Sequence, residues 1–247
     1  MKVMLITGGS RGIGAATALL AAEAGYAVAV NYCSNEAAAA QVVEKIRAAG
    51  GTAVAIQADI SKEEEVLKLF AETDKLPGTL TVLVNNAGIL EHQMRLENMT
   101  AARLNRIFAA NITGQFICAR EAVKRMSTKH GGSGGAIVNV SSVAAKTGSP
   151  NEYLDYAASK GAMDTFTIGL SKEVAEEGIR VNGVRPGFIA TDIHAAGGEP
   201  GRVERLKSSI PLKRGGTAEE VAEAILWLAS DKAGYSTGTF IDVSGGR

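Results

Sequence analysis

Short apolar runs alternate with longer segments of helical periodicity from one end of the chain to the other. Most of these runs are continuously apolar, which is typical of strands that are buried on both faces. They predict seven strands, at residues 3–7, 26–31, 52–57, 81–85, 136–141, 179–184 and 239–243. Because strands that alternate with helices pair in parallel through helical crossovers, we expect an α/β fold: a doubly wound, mostly parallel, seven-stranded Rossmann-type sheet with helices on both faces.

Helical segments fill the intervals between the apolar runs. They are predicted at residues 13–24, 36–49, 100–129, 153–177 and 217–230, with an irregularity inside the third. A further helix is predicted to begin at Ser61, with Glu64 completing a capping box, and Thr217 and Glu220 form a second such pair. No break in composition divides the chain, so residues 1–247 are expected to form a single domain.

One segment, residues 191–211, breaks the regular alternation. It contains Gly197-Gly198 and Pro200-Gly201, which are strong signals for turns. Loops of this kind often close over bound ligands, so we expect a flexible substrate loop here. A simple surface excursion is the alternative.

Composition excludes several classes of protein. The 247 residues have a formal net charge of zero, so no global field favours nucleic acid or an anionic membrane as a partner. No apolar run approaches the ~20 residues of a membrane span. The two cysteines, Cys33 and Cys118, fit a reducing compartment, and a cytoplasmic protein is expected. His92, His130 and His194 lack the spacing of metal ligands, so no metal site is expected.

A glycine-rich turn joins the first predicted strand to the first predicted helix. It reads Thr7-Gly8-Gly9-Ser10-Arg11-Gly12-Ile13-Gly14. Glycine permits a tight turn and a close approach of backbone to ligand. The free N–H groups at the start of the helix, together with the helix dipole, favour a phosphate. A strand, this turn and a helix in succession predict a site for the pyrophosphate of a dinucleotide.

The end of the second strand bears on the choice of cofactor. Folds that prefer NAD usually place an acidic residue there to hold the ribose 2′-hydroxyl. Here the position is Asn31, followed by Tyr32, Cys33 and Ser34, and no carboxylate is present. Arg11 in the turn can pair with a 2′-phosphate. We therefore expect NADP to be preferred, with NAD also possible.

Tyr156 and Lys160 are the most informative pair in the chain. Residues four apart share one face of a helix, so the phenol and the ammonium can point into one pocket. A nearby positive charge favours the phenolate and lowers the pKa of a tyrosine. Such a pair can give or take a proton near neutral pH. Ser142 precedes the pair and offers a second hydroxyl group.

With these motifs in place, the chain resembles the short-chain dehydrogenase/reductase family over essentially its whole length. The motifs occur in the expected order: the turn at residues 7–14, Asp59-Ile60, Asn85-Asn86-Ala87-Gly88, Asn111, Ser141-Ser142, Tyr156 to Lys160, and Pro186-Gly187 with Thr191. Residues 210–214 and 238–246 are similar to those of glucose-dehydrogenase-like and 3-oxoacyl-carrier-protein-reductase-like members.

The resemblance implies a role for each matching residue. Four would be catalytic: Asn111 in a proton relay, Ser142 on the substrate oxygen, Tyr156 as general acid or base, and Lys160 on the nicotinamide ribose. The residues expected to bind the cofactor are Gly8, Ser10, Arg11, Gly12, Ile13, Gly14, Asn31, Tyr32, Ser34, Asp59, Ile60, Asn85, Asn86, Ala87, Gly88, Tyr156, Lys160, Pro186, Gly187, Ile189 and Thr191. The cofactor would exchange a hydride with a carbonyl or secondary alcohol substrate.

Two of these assignments need a choice between neighbours. Ser141 and Ser142 would point to opposite faces at a strand end, and Ser142 is preferred because Ser141 belongs to the strand pattern. Tyr153 and Tyr156 are close in sequence, but only Tyr156 has a lysine four residues later.

The sequence indicates the substrate pocket less clearly than the cofactor site. Candidate pocket residues are Glu91, His92, Gln93, Val143, Gly148, Tyr153, Phe188 and His194. Their polar mixture favours a sugar, a polyol or a small keto compound. The resemblance also implies a homotetramer that uses helices 101–129 and 153–177. Two alternative functions are a catalytically silent redox sensor, against which the intact tyrosine–lysine pair argues, and an epimerase or dehydratase, whose usual extra substrate lobe this chain lacks.

Overall fold

The apolar runs form one seven-stranded sheet in a computed structural model that describes residues 1–247. The strands are β1 (Lys2–Ile6), β2 (Ala27–Tyr32), β3 (Ala53–Gln57), β4 (Thr79–Asn85), β5 (Gly135–Val140), β6 (Ile179–Pro186) and β7 (Phe240–Val243). Their order is β3-β2-β1-β4-β5-β6-β7, and every neighbouring pair is parallel. The predicted fold class is confirmed, with a sheet that is entirely rather than mostly parallel.

Helices cover both faces of this sheet. They are α1 (Gly12–Glu23), α2 (Glu36–Ala48), α3 (Glu63–Thr73), α4 (Ala101–Phe108), α5 (Gly114–Met126), α6 (Ala144–Thr147), α7 (Leu154–Glu173), α8 (Ile193–Ala196), α9 (Arg202–Leu206) and α10 (Ala218–Ala229). None of them combines the length and the apolar character that a membrane crossing requires.

Two apolar cores lie on opposite sides of the sheet. In β1, Met4 and Ile6 belong to one core, whereas Val3 and Leu5 belong to the other. This division follows from the two-residue period of a strand, which sends successive side chains to opposite faces. The first core is completed by α1, α2 and α10, and the second by α3, α5 and α7. Burial on both faces explains why the strands are continuously apolar.

The order of the strands reverses between β1 and β4. The chain runs outward from β1 to β3 and then returns to place β4 on the other side of β1. At such a switch point the connections diverge above and below the sheet, which opens a crevice at the carboxyl ends of the strands. The glycine-rich turn after β1 and the Asn85–Gly88 segment after β4 both lie at this end.

The predicted irregularity in the helix over residues 100–129 is a π-helical turn. It spans Ala109–Thr113 between α4 and α5 and contains Asn111. Gly114 follows directly, and a Cβ at this position would overlap the carbonyl oxygen of Ile60. The close approach of α5 to that backbone therefore requires glycine, and the π turn rotates Asn111 toward the strand ends.

One of the two predicted capping boxes is wrong. Helix α3 begins after Lys62 without a side-chain cap. Ser61 instead donates its N–H and its hydroxyl to Asp59 Oδ1, at 3.0 and 2.7 Å, and Glu65 accepts the N–H of Asp59 at 2.7 Å. A carboxylate two residues earlier thus competes successfully for the groups of Ser61, as local Asx turns do.

The other capping box is confirmed. Thr217 accepts the N–H of Glu220 at 3.2 Å, and the Glu220 carboxylate accepts the N–H of Thr217 at 2.9 Å. The backbone N–H groups of Thr217 and Glu220, which have no partner within the helix, are thereby satisfied.

Replacing Thr217 by alanine should destabilise the protein. The change removes one partner of the box, and loss of such a cap typically costs about 1 kcal/mol. The midpoint of urea unfolding should fall at an unchanged slope, while Thr217→Ser should retain the wild-type midpoint. An unchanged midpoint for Thr217→Ala would show that the box contributes nothing.

Candidate active site

A cavity of about 580 Å³ lies in the crevice at the carboxyl ends of the strands. This volume is within the ~300–1,000 Å³ that is usual for small-molecule and cofactor sites. Most of the residues predicted from the sequence line it: Gly8, Ser10, Arg11, Gly12, Ile13, Asn31, Tyr32, Ser34, Asp59, Ile60, Asn86, Ala87, Gly88, Ser142, Tyr156, Lys160, Pro186, Gly187, Ile189 and Thr191. Three predicted residues, Gly14, Asn85 and Asn111, lie behind the wall instead.

The glycine-rich turn has the geometry of an anion cradle. Gly8 and Gly12 have φ values of +62° and +52°, which side chains rarely tolerate. Helix α1 begins after Arg11 without a side-chain cap and without an acidic residue in its first turn. The first N–H groups of a helix have no intrahelical partner, so those of α1 are available to an anion at the positive end of the helix dipole.

Asn31 supports this turn from below. Its Oδ1 accepts the N–H of Gly8 at 3.1 Å, and its Nδ2 donates to the carbonyl oxygen of Ala58 at 3.0 Å. The residue is 2% exposed. The Asn31 side chain thus braces the glycine-rich turn from below, and the residue also lines the cavity. Tyr32, Cys33 and Ser34 line the cavity beside it.

The segment after β4 is joined to the turn through Thr7. The Thr7 hydroxyl accepts the N–H groups of Asn86 and Ala87, each at 3.0 Å, and Asn86 Nδ2 donates to the Thr7 carbonyl at 2.9 Å. Asn85 points the other way and donates to Asn139 Oδ1 at 3.0 Å. Asn85 thus has a structural role, and Asn86 holds two walls of the cavity together.

Tyr156 and Lys160 project from α7 into the same cavity, as their spacing predicted. The Lys160 ammonium lies 5.5 Å from the centre of the Tyr156 ring and donates to the Val140 carbonyl at 2.7 Å. The choice between the two serines agrees with the structure. Both serines border the cavity, but Ser141 is buried and donates its hydroxyl to the Lys160 carbonyl at 3.2 Å. Ser142 is only half-buried, accepts the N–H of Ala144 at 3.1 Å, and is near enough to Tyr156 to lower the pKa of that phenol.

Asn111 lies behind Tyr156 and Lys160. Its Oδ1 accepts the N–H of Ile89 at 2.8 Å, and its Nδ2 donates to the Ile89 carbonyl at 3.0 Å and to Ser159 Oγ at 3.1 Å. A Cβ added to Gly88 would lie 3.4 Å from Asn111 Oδ1 and 3.6 Å from Lys160 Nζ. Gly88 therefore keeps open the narrow space between the asparagine and the lysine.

The electrostatics differ from the expectation for the tyrosine. Burial raises the pKa of Tyr156 to about 12, and the hydrogen bond with Ser142 offsets only part of this effect. Burial also lowers the pKa of Lys160 to about 8, which Asp164 opposes. The expected lowering of the Tyr156 pKa is therefore wrong for this structure, because desolvation of the phenolate is the largest influence on it. At neutral pH the phenol keeps its proton and the lysine keeps its charge.

At the other end, the cavity meets residues 191–211. Arg202 on α9 is 5% exposed and forms ion pairs with Glu152 and Glu199. Its guanidinium lies 4.9 Å from the Tyr153 ring and 5.4 Å from the Phe188 ring. This segment thus contains two short helices, α8 and α9, and the buried Arg202 joins α9 to Glu152 in the cavity wall.

Only half of the predicted substrate residues line the cavity. Val143, Tyr153, Phe188 and His194 line the cavity, but Glu91, His92, Gln93 and Gly148 do not. Glu91 pairs with Arg106 at 3.0 Å, and Gln93 donates to Glu199 at 2.6 Å. Four residues that were not individually predicted from the sequence also line the cavity: Leu90, Glu152, Arg202 and Arg247. No local pattern marks these four residues, because distant segments bring them together.

Comparison with known proteins identifies the class of this fold and site. Residues 8–247 match a family model described as Enoyl-(Acyl carrier protein) reductase. The chain belongs to the short-chain dehydrogenase/reductase family of oxidoreductases. The resemblance inferred from the motifs is thereby confirmed.

Relatives of similar length support this assignment. The chain is 64% identical to an uncharacterized oxidoreductase, YgfF, of Escherichia coli over 247 residues, which is 100% of both chains. It is 40% identical over 245 residues to the 3-oxoacyl-(acyl-carrier-protein) reductase FabG of Staphylococcus aureus, covering 99% of this chain and 97% of the relative.

Solved structures show the same architecture. A dehydrogenase/reductase from Sinorhizobium meliloti superposes with a TM-score of 0.91 at 35% identity and covers 99% of this chain and 94% of its own. A mutant short-chain dehydrogenase/reductase of Serratia marcescens gives a TM-score of 0.90 at 32% identity, with 99% and 97% covered.

Replacing Gly14 by alanine should deform the turn although Gly14 lies outside the cavity. The added Cβ would overlap the carbonyl oxygen of Gly8 and lie 2.7 Å from Asn86 Nδ2. Overpacking of this kind typically costs about 1–3 kcal/mol. Calorimetry should show a lower melting temperature together with weaker binding of dinucleotide. Gly169→Ala is the control, because a Cβ at that position meets no atom within 4 Å. A Gly14→Ala protein with wild-type dinucleotide affinity would contradict this role for the turn.

Proposed function

We propose that this protein is a nicotinamide-dependent oxidoreductase that interconverts a carbonyl compound and a secondary alcohol, with Tyr156 as the general acid or base. The observation that carries the proposal is the arrangement of Ser142, Tyr156 and Lys160 in the cavity whose opposite wall is the uncapped start of α1. One end suits an anionic dinucleotide and the other end suits proton transfer.

The described residues fit such a cofactor. A Cβ at Gly12 would lie 3.2 Å from Thr191 Cγ2, so glycine keeps the turn open toward the opposite wall. The uncapped N–H groups of α1 would hold the pyrophosphate, Asp59 and Ile60 would lie at the adenine end, and Pro186, Gly187 and Ile189 would border the nicotinamide. Lys160 would bind the adjacent ribose. When bound, the cofactor gives or accepts the hydride.

The protein residues supply the proton and stabilise charge. In reduction, negative charge develops on the carbonyl oxygen as carbon receives the hydride. Ser142 and Tyr156 together place two hydroxyl donors in one part of the cavity, and donors aimed at a developing oxyanion stabilise the transition state. Because the pKa of Tyr156 is raised to about 12, the phenol holds its proton at neutral pH and is ready to donate it.

Lys160 and Asn111 assist from behind the tyrosine. With a pKa lowered to about 8, Lys160 is charged at neutral pH and loses this charge as the pH rises through that value. Its support for a transient phenolate is therefore strongest at and below neutral pH. Asn111 and Gly88 border the space next to the ammonium, which is where a proton relay toward solvent would begin.

NADP is the preferred cofactor in this proposal. Arg11 is exposed and lines the cavity, while the end of β2 offers no carboxylate to hold a ribose 2′-hydroxyl. A guanidinium binds a phosphate through two parallel hydrogen bonds. A carboxylate at the end of β2 would instead repel a 2′-phosphate.

The substrate loop and the tetramer remain proposals. Residues 191–211 would open and close over the substrate end, where the buried Arg202 and the aromatic rings of Tyr153 and Phe188 favour a small polar carbonyl compound.

For the tetramer, Phe116 on α5 and Ile168 on α7 are 44% and 43% exposed. Large apolar side chains exposed on long helices suit an interface between subunits.

Titration with NADPH and NADH should show tighter binding of NADPH. Removing the guanidinium in Arg11→Ala should weaken NADPH binding more than NADH binding, because only NADPH carries the 2′-phosphate. Loss of a charge-assisted hydrogen bond of about 1.5–3 kcal/mol corresponds to roughly a 10- to 150-fold change in Kd. Lys75→Ala is a charge-matched control, since this exposed lysine pairs with Glu72 and does not line the cavity. Equal losses for both cofactors would refute the assignment of Arg11.

Replacing Tyr156 by phenylalanine should abolish most of the turnover. The substitution removes only the hydroxyl, and loss of a transition-state donor typically lowers the rate at least about 100-fold. Tyr153→Phe removes a hydroxyl that donates to the Gly197 carbonyl at 3.2 Å and should reduce kcat far less. Steady-state assays over a panel of aldehydes and ketones, with unchanged cofactor binding, provide the measurement. Near-wild-type turnover of Tyr156→Phe would reject the proposed chemistry, and a protein that binds cofactor but turns over no carbonyl or alcohol substrate would favour a redox sensor.

A further inference from the structure

A buried ion pair joins α4 to the start of the helix that carries Tyr156. We propose that Arg103 and Asp155 are positioning residues, which fix the Tyr156 backbone and thereby aim its hydroxyl at the substrate oxygen. This inference rests on the proposed role of Tyr156 as proton donor, and it adds two residues that do not line the cavity.

The contacts form a direct chain to the tyrosine. Arg103 Nε lies 2.6 Å from Asp155 Oδ2, and Arg103 Nη2 lies 3.4 Å from Asp155 Oδ1. That same Oδ1 accepts the backbone N–H of Tyr156 at 2.9 Å. A shift of the guanidinium therefore moves the carboxylate, and the carboxylate is bonded to the backbone of the residue that transfers the proton.

Asp155 stands at the beginning of α7, which starts at Leu154. The first N–H groups of a helix have no intrahelical partner, and its N-terminus favours a negative charge. The Asp155 carboxylate satisfies one of these groups and gains from the helix dipole. Its position at the start of the helix allows it to set where α7 begins, four residues before Ser159 and five before Lys160.

Arg103 also contacts the segment that follows β4. Its Nη1 donates to the His92 carbonyl at 2.7 Å. Two residues later, Met94 donates its N–H to the Glu152 carbonyl at 2.9 Å and forms a bridge with Tyr153. One guanidinium thus connects α4, the segment after β4 and the start of α7. The π turn with Asn111 follows directly after α4, and the other two parts carry Leu90 and Tyr156.

Burial distinguishes this pair from the other ion pairs around it. The Arg103 and Asp155 side chains are 4% and 0% exposed, whereas those of Arg106 and Glu91 are 59% and 27% exposed. Arg106 lies on the same helix, three residues later. A buried ion pair gains little net stability, because desolvation offsets the attraction, but a guanidinium fork imposes direction. Orientation of α7 is therefore a better account of this pair than stability.

The experiment compares variants of the pair with the exposed pair on the same helix. Arg103→Met and the neutral double variant Arg103→Met/Asp155→Asn are assayed against Arg106→Met, Arg103→Lys and Tyr156→Phe. The double variant leaves no buried charge unpaired, so it remains informative if the single variant does not fold. For each protein the measurements are the melting temperature, the Kd for NADPH, kcat and KM for a carbonyl substrate, and the solvent isotope effect on kcat.

Positioning predicts a specific pattern. In the folded double variant, kcat should fall by about 10- to 100-fold, as small misplacements of catalytic groups do. The Kd for NADPH should not change, because the pair does not contact the phosphate turn. The solvent isotope effect should rise, since proton transfer from a misplaced hydroxyl becomes rate-limiting. Arg103→Lys should recover part of kcat, and Arg106→Met should keep wild-type values.

Two results would overturn the inference. A folded double variant with wild-type kcat and isotope effect would show that the pair does not position Tyr156. A parallel loss of melting temperature, cofactor affinity and kcat, with an unchanged isotope effect, would show a purely structural role. Failure of the proposed function is recognised separately, because Tyr156→Phe would then remain active whatever the pair does.

Discussion

A sheet that is buried on both faces leaves only the ends of its strands open to a ligand. In this protein every strand is parallel, so all carboxyl ends lie at one edge, and the reversal of strand order between β1 and β4 opens that edge into a crevice. The glycine turn after β1, the asparagines after β4 and the serine after β5 converge there for this reason. The site depends on the packing of the two cores, because each core fixes where a strand ends.

Behind the cavity, buried polar side chains hold α7, the helix that carries Tyr156 and Lys160, against the sheet. Asn139 Nδ2 donates to Thr167 Oγ1 on α7 at 2.9 Å and Asn139 Oδ1 accepts from Asn85, while Asn111 bonds to Ser159. In an apolar interior an unmade hydrogen bond is expensive, so a connected network specifies one arrangement of its members. The consequence is a rigid second layer that aligns α7 with the ends of β4 and β5. Tyr156 and Lys160 inherit their positions from this layer.

Desolvation sets the protonation states that the site uses. The same burial that keeps Tyr156 protonated also lowers the pKa of Lys160 to about 8. A protonated phenol beside a charged ammonium is suited to donate a proton to a carbonyl oxygen near neutral pH. The charge pattern around the substrate end is different, because Arg202 is already paired with Glu152 and Glu199. Charge there organises the cavity wall, whereas charge at Lys160 serves the proposed chemistry.

Features that depend on short-range patterns could be predicted from the order of the residues. The continuous apolar runs predicted seven strands to within about two residues, and strand alternation selected Ser142 over Ser141. Spacing on one helix face brought Tyr156 and Lys160 together. These predictions succeeded because hydrophobic period and helix geometry act locally, and nearby residues are sufficient to specify them.

Features that depend on competition between distant groups became apparent only in the folded molecule. Asn31 binds the backbone of Gly8 and Ala58 under the glycine turn, and Ser61 bonds to Asp59 instead of capping α3. The pair Arg103–Asp155 joins residues that are 52 positions apart. Burial also reversed the expected shift in the pKa of Tyr156. A hydrogen bond or an ion pair forms with whichever partner the fold brings within reach, and desolvation depends on everything packed around a group, so neither can be derived from the order of the residues alone.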